Sequence, residues 1–309
     1  MFRATSRLRF IEPQLASLVD QPPEGRHWIH EIKHDGYRSL VVIQTGEVRV
    51  FTRNGFDWTD RYPGIVRAAS YLDCKSAIID GEAVVQNANG VSDFEGLQSA
   101  IRSRSQNIIL YAFDLLHLEG HDIRHRRLTE RRSMLQHLLG GDAESSIQFS
   151  EEFTGDGAAF FKACADSDLE GMVSKHAAAP YRSGRTKTWL KCKCFTESTF
   201  VVVGTDRDPK TGALRALLAH NDGVGLNYAG AAFIALAGDL RAQFFTVVDR
   251  LTTSWAMFKS SRLTDVRWCH PKLTVVVKHL AGSKMLRHAT VRALGHCVGS
   301  RGRDSWTIS

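Results

Sequence analysis

The chain has 309 residues, 43% hydrophobic and 24% charged, a balance that excludes a disordered, collagen-like or coiled-coil protein. Lys and Arg outnumber Asp and Glu by 40 to 33, yet the formal charge of +7 is unevenly spread: residues 1–194 balance at 25 against 25, and the last 115 hold 15 basic and 8 acidic residues. A neutral front part and a basic rear part point to a rear that meets a polyanion, or to a solvated basic face.

Taken in chain order, residues 22–30 form a turn-rich entry to an alternating segment through Glu31, Ile32 and Lys33. Residues 40–43 and 48–51 predict strands joined by Gln44-Thr45-Gly46-Glu47, a hairpin pattern. Residues 77–79 and 83–85 predict two more strands around a tight element at Asp80-Gly81. A helix is predicted from Asp93 to Arg102 behind a capping Ser92 or Asp93, and a strongly apolar strand over 108–113. Further helices are predicted over 128–139, stopped by Gly140-Gly141, and over 157–165. Short strands at 172–174 and 188–190 bracket the loop 180–185.

After Cys194 short strands recur at 200–203, 214–219, 226–228, 244–248 and 273–277, with an Ala-rich helix over 229–240. Such a set suits a small barrel of the oligonucleotide-binding (OB) type, although a sandwich fragment reads the same way. The boundary is predicted near 193–196, giving domains 1–194 and 195–309. No apolar run approaches the roughly 18 residues of a membrane span, and the basic N-terminus lacks a signal-peptide core, so the chain reads as intracellular. Six scattered cysteines argue against a disulfide framework, and Cys192-Lys193-Cys194 lacks the spacing of a zinc knuckle.

The chemical signals begin at Glu31-Ile32-Lys33-His34-Asp35-Gly36-Tyr37-Arg38, where alternation would put Glu31, Lys33 and Asp35 on one side of an extended chain. By itself such a segment is equally an exposed ion-pair strand. Asp80-Gly81-Glu82, Glu170-Gly171-Met172-Val173-Ser174-Lys175 and Trp189-Leu190-Lys191-Cys192-Lys193 follow. Carboxylates at strand ends suit a hard divalent cation, and a Lys-x-Lys strand suits polyphosphate. Each motif is weak alone; their order in one domain carries the weight.

In that order they resemble the ATP-dependent DNA ligases, and more broadly the covalent nucleotidyltransferases that include RNA ligases and capping enzymes. Lys33-His34-Asp35-Gly36-Tyr37-Arg38 matches the KxDGxR motif of that family, and Thr52-Arg53-Asn54-Gly55 resembles the next. Asp80-Gly81-Glu82, Tyr111-Ala112-Phe113-Asp114-Leu115, and the Glu170 and Trp189 segments resemble the rest. The flanks at 7–15 and 227–230 resemble the ligase domain of the bacterial end-joining ligases of the D type, here standing alone. The resemblance implies an α+β nucleotidyltransferase (adenylation) domain followed by an OB-fold β-barrel domain.

It also implies roles. Lys33 would attack the α-phosphorus of ATP, Glu31 would read the adenine amino group, and Phe113 would stack on the base. Arg38 and Arg53 would grip the nucleotide sugar or the 5′-phosphate of a nick. Glu82 and Glu170 would meet the ribose and the catalytic metal, and Lys191 and Lys193 the α-phosphate. Asp35 would orient the strand or a metal-bound water; Lys175 would contact phosphate or form a plain salt bridge. The cofactors implied are ATP and Mg²⁺, with Mn²⁺ as a substitute. The implied partners are nicked or broken duplex DNA and a Ku-type end-binding protein, in bacterial cytoplasm at the nucleoid and with no membrane.

The rear departs from the family pattern. Gly295, Cys297 and Val298 occupy the places of a basic Arg-x-Asp-Lys motif that orients the leaving pyrophosphate, and Ala289 replaces a proline. Arg292, Arg301 and Arg303 are candidate substitutes. A ligase that adenylates slowly and depends on pre-adenylated nicks is therefore an alternative, as are an end-binding homologue, an RNA ligase and a non-enzymatic basic module.

Overall fold

Apolar runs such as Leu40-Val41-Val42-Ile43 need cover on both faces, and the computed structural model supplies it. It describes residues 7–103, 106–142, 144–258, 263, 265–282, 285–298 and 305–306. The chain divides into two compact units, Met1–Cys194 and Phe195–Ser309.

The first unit runs β1 (Gln14–Leu18), β2 (Trp28–Ile32), β3 (Tyr37–Gln44), β4 (Glu47–Thr52), α1 (Pro63–Ser70) and β5 (Ser76–Val84). Then come α2 (Phe94–Ser103), β6 (Ile109–Leu118), β7 (His121–Asp122), α3 (Leu128–Leu139) and β8 (Ile147–Phe149). It closes with α4 (Gly157–Asp166), β9 (Gly171–His176) and β10 (Gly184–Lys193). One sheet has the order β4-β3-β5-β6-β7 with β8 beside β6; a second has the order β1-β10-β9-β2.

Successive residues of β3 point to opposite faces of the larger sheet. Val41 and Ile43 enter a core with Ile65 of α1, Leu97 of α2 and Leu135 of α3. Leu40 and Val42 enter another with Phe113, Tyr181 and Trp189. Helices thus cover one face and the smaller sheet the other, which is why β3 shows no polar alternation. The expected pair of strands around Asp80-Gly81 is one continuous strand, β5. It absorbs the glycine at a register shift opposite Asp114 and Ala112 rather than turning there.

The second unit comprises β11 (Phe195–Arg207), β12 (Leu214–Asn221), β13 (Leu226–Ile234), α5 (Gly238–Arg250), β14 (Arg267–Leu280), β15 (Thr290–Val298) and β16 (Ser305–Trp306). Two sequence expectations reverse here. Residues 229–234 complete β13 rather than open a helix, and the expected strand at 244–248 lies inside α5. Phe244 and Val248 both bury on α5 because they are four apart, a helical spacing that their strand-forming side chains disguised.

The expected OB-fold β-barrel is also corrected. The strands form one six-stranded sheet in the order β13-β12-β11-β14-β15-β16, not a closed barrel. β13 and β15 meet only at Phe233↔Thr290 and Ile234↔Val291, a seam too short to carry a ladder round. Four of the five expected strands fall on β11, β12, β13 and β14, while β15 and β16 were not expected; closure depends on tilt and stagger between strands, which strand texture does not encode. Among the described residues no helix is long and apolar enough to cross a membrane.

Candidate active site

β2 ends at Ile32, so Lys33, His34 and Asp35 leave the strand rather than continuing its alternation. The Lys33 amide donates to the Gly171 carbonyl at 2.9 Å, which fixes the turn beside β9. Gly36 then presses the chain onto β5: a Cβ there would lie 2.1 Å from the Ala83 carbonyl oxygen. Only glycine allows that approach, and Lys33 and Glu82 line the same cavity.

A cavity of about 540 Å³ opens at this point, with Glu31, Lys33, Arg38, Arg53, Glu82, Phe113, Lys175 and Lys191 among its lining residues. All come from the expected set. Glu170 reaches the same place by ion-pairing with the Lys33 amine through Oε2, while its Oε1 lies 3.4 Å from Lys193 Nζ. Asp35, of the same set, is next to Lys33 outside the strand and is not part of the cavity wall.

Electrostatics in the cavity are strained in both directions. Burial pushes the Glu82 carboxyl up to about 7; Lys33 and Arg38 oppose this, and Glu170 and Asp80 add to it. Burial also lowers the Lys191 ammonium, helped by the charges of Lys33, Lys193 and Arg185. Crowded amines and a carboxyl raised at Glu82 describe a site built for charged groups that are not part of the chain. His34, stacked on Tyr111 at 4.0 Å, is driven down to about 4 chiefly by burial, so it is neutral at pH 7.

Three expected residues have unexpected neighbours. The Arg38 guanidinium forks onto Asp80 with two contacts of 2.6 Å and lies 4.4 Å from the Phe113 ring centre. Tyr181 also donates to Asp80, at 2.7 Å. Lys175 is buried: its amine is 2.6 Å from Glu31 Oε1 and 4.1 Å from the Phe113 ring centre. Desolvation lowers it to about 8 despite Glu31. Arg53 is exposed on the loop after β4, its amide bonded to the Arg38 carbonyl at 3.0 Å.

Sequence reasoning placed Asp80 and Asp114 in its motifs without giving either a role, and gave none to Tyr181, Arg131 or Arg132. The signal for the last two was present. Leu128, Arg131, Arg132 and Leu135 are the buried stripe of α3, at i, i+3, i+4 and i+7. Arginines in an apolar stripe must have buried partners, and these do.

Aromatic rings, a carboxylate pair and clustered amines in one cavity define the class: an enzyme site for a phosphorylated aromatic compound. Residues 13–193 match the family described as ATP dependent DNA ligase domain. The multifunctional non-homologous end joining protein LigD of Pseudomonas aeruginosa is 42% identical over 196 residues, covering 63% of this chain and 23% of that protein. The ligase domain of Mycobacterium tuberculosis LigD is 29% identical with a TM-score of 0.56, covering 91% of this chain and 94% of that one. A mycobacterial DNA ligase D complexed with ATP and MES is 27% identical with a TM-score of 0.56, covering 95% of each.

The chain belongs to the ATP-dependent DNA ligase family, closely related to the ligase domains of bacterial LigD proteins. It spans about a quarter of the length of the LigD proteins it matches.

Proposed function

We propose that this chain seals 5′-phosphate/3′-hydroxyl breaks in duplex DNA by three phosphoryl transfers, with Lys33 carrying AMP. In the first, the Lys33 amine bonds to the α-phosphorus of ATP and the bond to pyrophosphate breaks. In the second, a 5′-phosphate oxygen of the DNA bonds to the AMP phosphorus and the nitrogen–phosphorus bond to Lys33 breaks, freeing the amine. In the third, the 3′-hydroxyl oxygen bonds to the 5′-phosphorus and AMP leaves. The observation that carries this reading is the placement of the Lys33 amine on Glu170, in a cavity shared with Glu82, Lys191 and Phe113. Positioning and charge stabilisation suffice for such transfers.

Within this reading Glu31 and Phe113 take the base, Arg38 and Arg53 the sugar or the nick phosphate, and Lys191 and Lys193 the α-phosphate. Asp35 orients the turn around Lys33. Lys175 supports the base through Glu31 and Phe113, a role its burial favours over phosphate contact. Glu82 and Glu170 fit Mg²⁺ or Mn²⁺: Mg²⁺ commonly uses one or two carboxylates plus substrate phosphates, and among the described residues no larger ligand cluster exists. When bound, the metal neutralises charge on the phosphate oxygens. The domains 1–194 and 195–309 would supply the nucleotide site and a basic DNA-binding surface. Repair by end joining with a Ku-type protein, at the bacterial nucleoid, belongs to the same proposal.

Intact-mass measurement after incubation with ATP and Mg²⁺ tests it. An AMP adduct is expected, mapping to Lys33 in the tryptic digest. An adduct on another lysine overturns the assignment of Lys33; a chain that neither labels nor seals a pre-adenylated nick is not a working ligase.

A second outcome is expected from the altered tail. A misaligned leaving group slows a transfer even when the substrate is bound. Single-turnover kinetics should therefore show slower adenylation from ATP than sealing of a nick that already carries a 5′-adenylate. Equal or faster adenylation removes the argument. Gly295 lies within β15, where a Cβ would sit 2.4 Å from Thr274 Oγ1, and that hydroxyl accepts the His296 amide at 2.8 Å. Restoring the motif by Gly295→Arg, Cys297→Asp and Val298→Lys thus calls for Thr274→Ala as well. Arg292 is exposed on the same strand; Arg301 and Arg303 lie outside the described residues.

A further inference from the structure

The structure assigns to Arg132 the task of positioning the base-reading carboxylate, making it a determinant of nucleobase selectivity. The inference rests on the ligase reading above only in taking the cavity as the nucleotide site. Arg132 comes from α3, on which no base contact was expected, and its side chain is 3% exposed. Its Nη1 donates to Glu31 Oε1 at 2.9 Å and to the Phe113 carbonyl at 3.1 Å. Its Nη2 donates to the Ser150 carbonyl at 2.7 Å, and its Nε to Glu152 at 2.6 Å. One planar fork therefore ties β2, β6 and the chain after β8 together, a geometry that lysine cannot reproduce.

The consequence for recognition follows from lone-pair arithmetic. A carboxylate accepts about four hydrogen bonds, two at each oxygen. On Glu31, Oε1 accepts from Arg132 and faces the Lys175 ammonium 2.6 Å away, an ion pair that places a second cation on the same oxygen. Among the described residues Ser150 is the donor on Oε2, at 3.1 Å. One acceptor position remains on Oε2, and Glu31 is among the residues lining the cavity. With Arg132 and Lys175 both against Oε1, the remaining position on Oε2 serves as an acceptor, which takes an exocyclic amine and rejects a ring carbonyl. That selects adenine, with its 6-amino group, over a base with oxygen at that position. The discrimination requires that the carboxylate be unable to rotate, and Arg132 prevents rotation.

The test is calorimetric binding of ATP and ITP, which differ in an amino group against an oxygen at that position, to the full chain and its variants. Arg132→Gln should weaken ATP binding about tenfold or more, the usual range for losing a hydrogen bond to a charged group, and bring ATP and ITP close together. Arg132→Lys should lie between, since it keeps the charge but not the fork. Ser150→Ala keeps the carbonyl that Arg132 uses and loses only the Oε2 donor; it should reduce selectivity with little change in melting temperature. Folded variants that bind both nucleotides as the wild type does would reduce Arg132 to a structural strut and overturn the inference. If Arg132→Gln does not fold, wild-type selectivity in both Arg132→Lys and Ser150→Ala overturns it equally. A wild type that prefers ATP yet neither forms lysyl-AMP nor seals a pre-adenylated nick would sink the ligase reading while leaving this one intact.

Discussion

Lys33→Ala is expected to abolish AMP labelling and to lower sealing from ATP by about four orders of magnitude or more, because no other group can carry the nucleotide. The fold should survive. The Lys33 side chain is 20% exposed, and its removal leaves Glu170 within 3.4 Å of Lys193. Its amide bond to Gly171 is made by the backbone and persists in alanine. Lys33→Arg is the sharper control: it restores a cation to Glu170 but supplies a guanidinium, which stays protonated and is no nucleophile. A folded Lys33→Arg chain that still labels with ATP would move the chemistry to another lysine, and peptide mapping would locate it. Sealing of a pre-adenylated nick should fall less in both variants, since the covalent step has already occurred.

The largest loss of stability is expected at Arg131. Its guanidinium forks onto Asp114 at 2.7 and 2.8 Å, with both side chains fully buried. It also donates to the carbonyls of Arg126 and Ala179, at 2.6 and 3.1 Å. Arg131→Met leaves the Asp114 carboxylate without its cation, a change that costs about 3–5 kcal/mol in buried pairs. The surface pair Lys162–Asp166, 75% and 63% exposed, is the contrast: Lys162→Met should change stability by about 0.5 kcal/mol or less. Urea denaturation measures both. The pH dependence has a definite sign. Burial raises the Asp114 carboxyl and Arg131 holds it down, so without Arg131 the folded variant takes up a proton more readily than the unfolded chain. Its stability should fall as the pH rises from acid toward neutral. A variant equally unstable at pH 5 and pH 8 would mean that the loss comes from packing and the two carbonyl bonds.

Several features of this protein were fixed by residue order alone. Strands β3, β4 and β6 and the helices α2, α3 and α4 are local patterns of apolar spacing, capping and glycine stops, readable because their causes lie within a dozen residues. The motif lysines, carboxylates and aromatic residue were legible for the same reason, as short strings whose order repeats that of a family. What the strings could not show was who meets whom. Arg38 forks onto Asp80, Lys175 turns to Glu31 and Phe113, and Arg132 crosses from α3 to bind Glu31, 101 residues earlier. These partners are set by sheet packing, since desolvation forces each buried charge to find the nearest opposite one. The second unit gives the same lesson at larger scale. Ala229, Ala231 and Ala232 took a strand conformation because β12 offered a paired edge, and Phe244 and Val248 went into a helix because four-residue spacing met the core. Whether the sheet closes was settled by the two-residue seam between β13 and β15, a matter of strand stagger in space, and stagger is not written in any one strand.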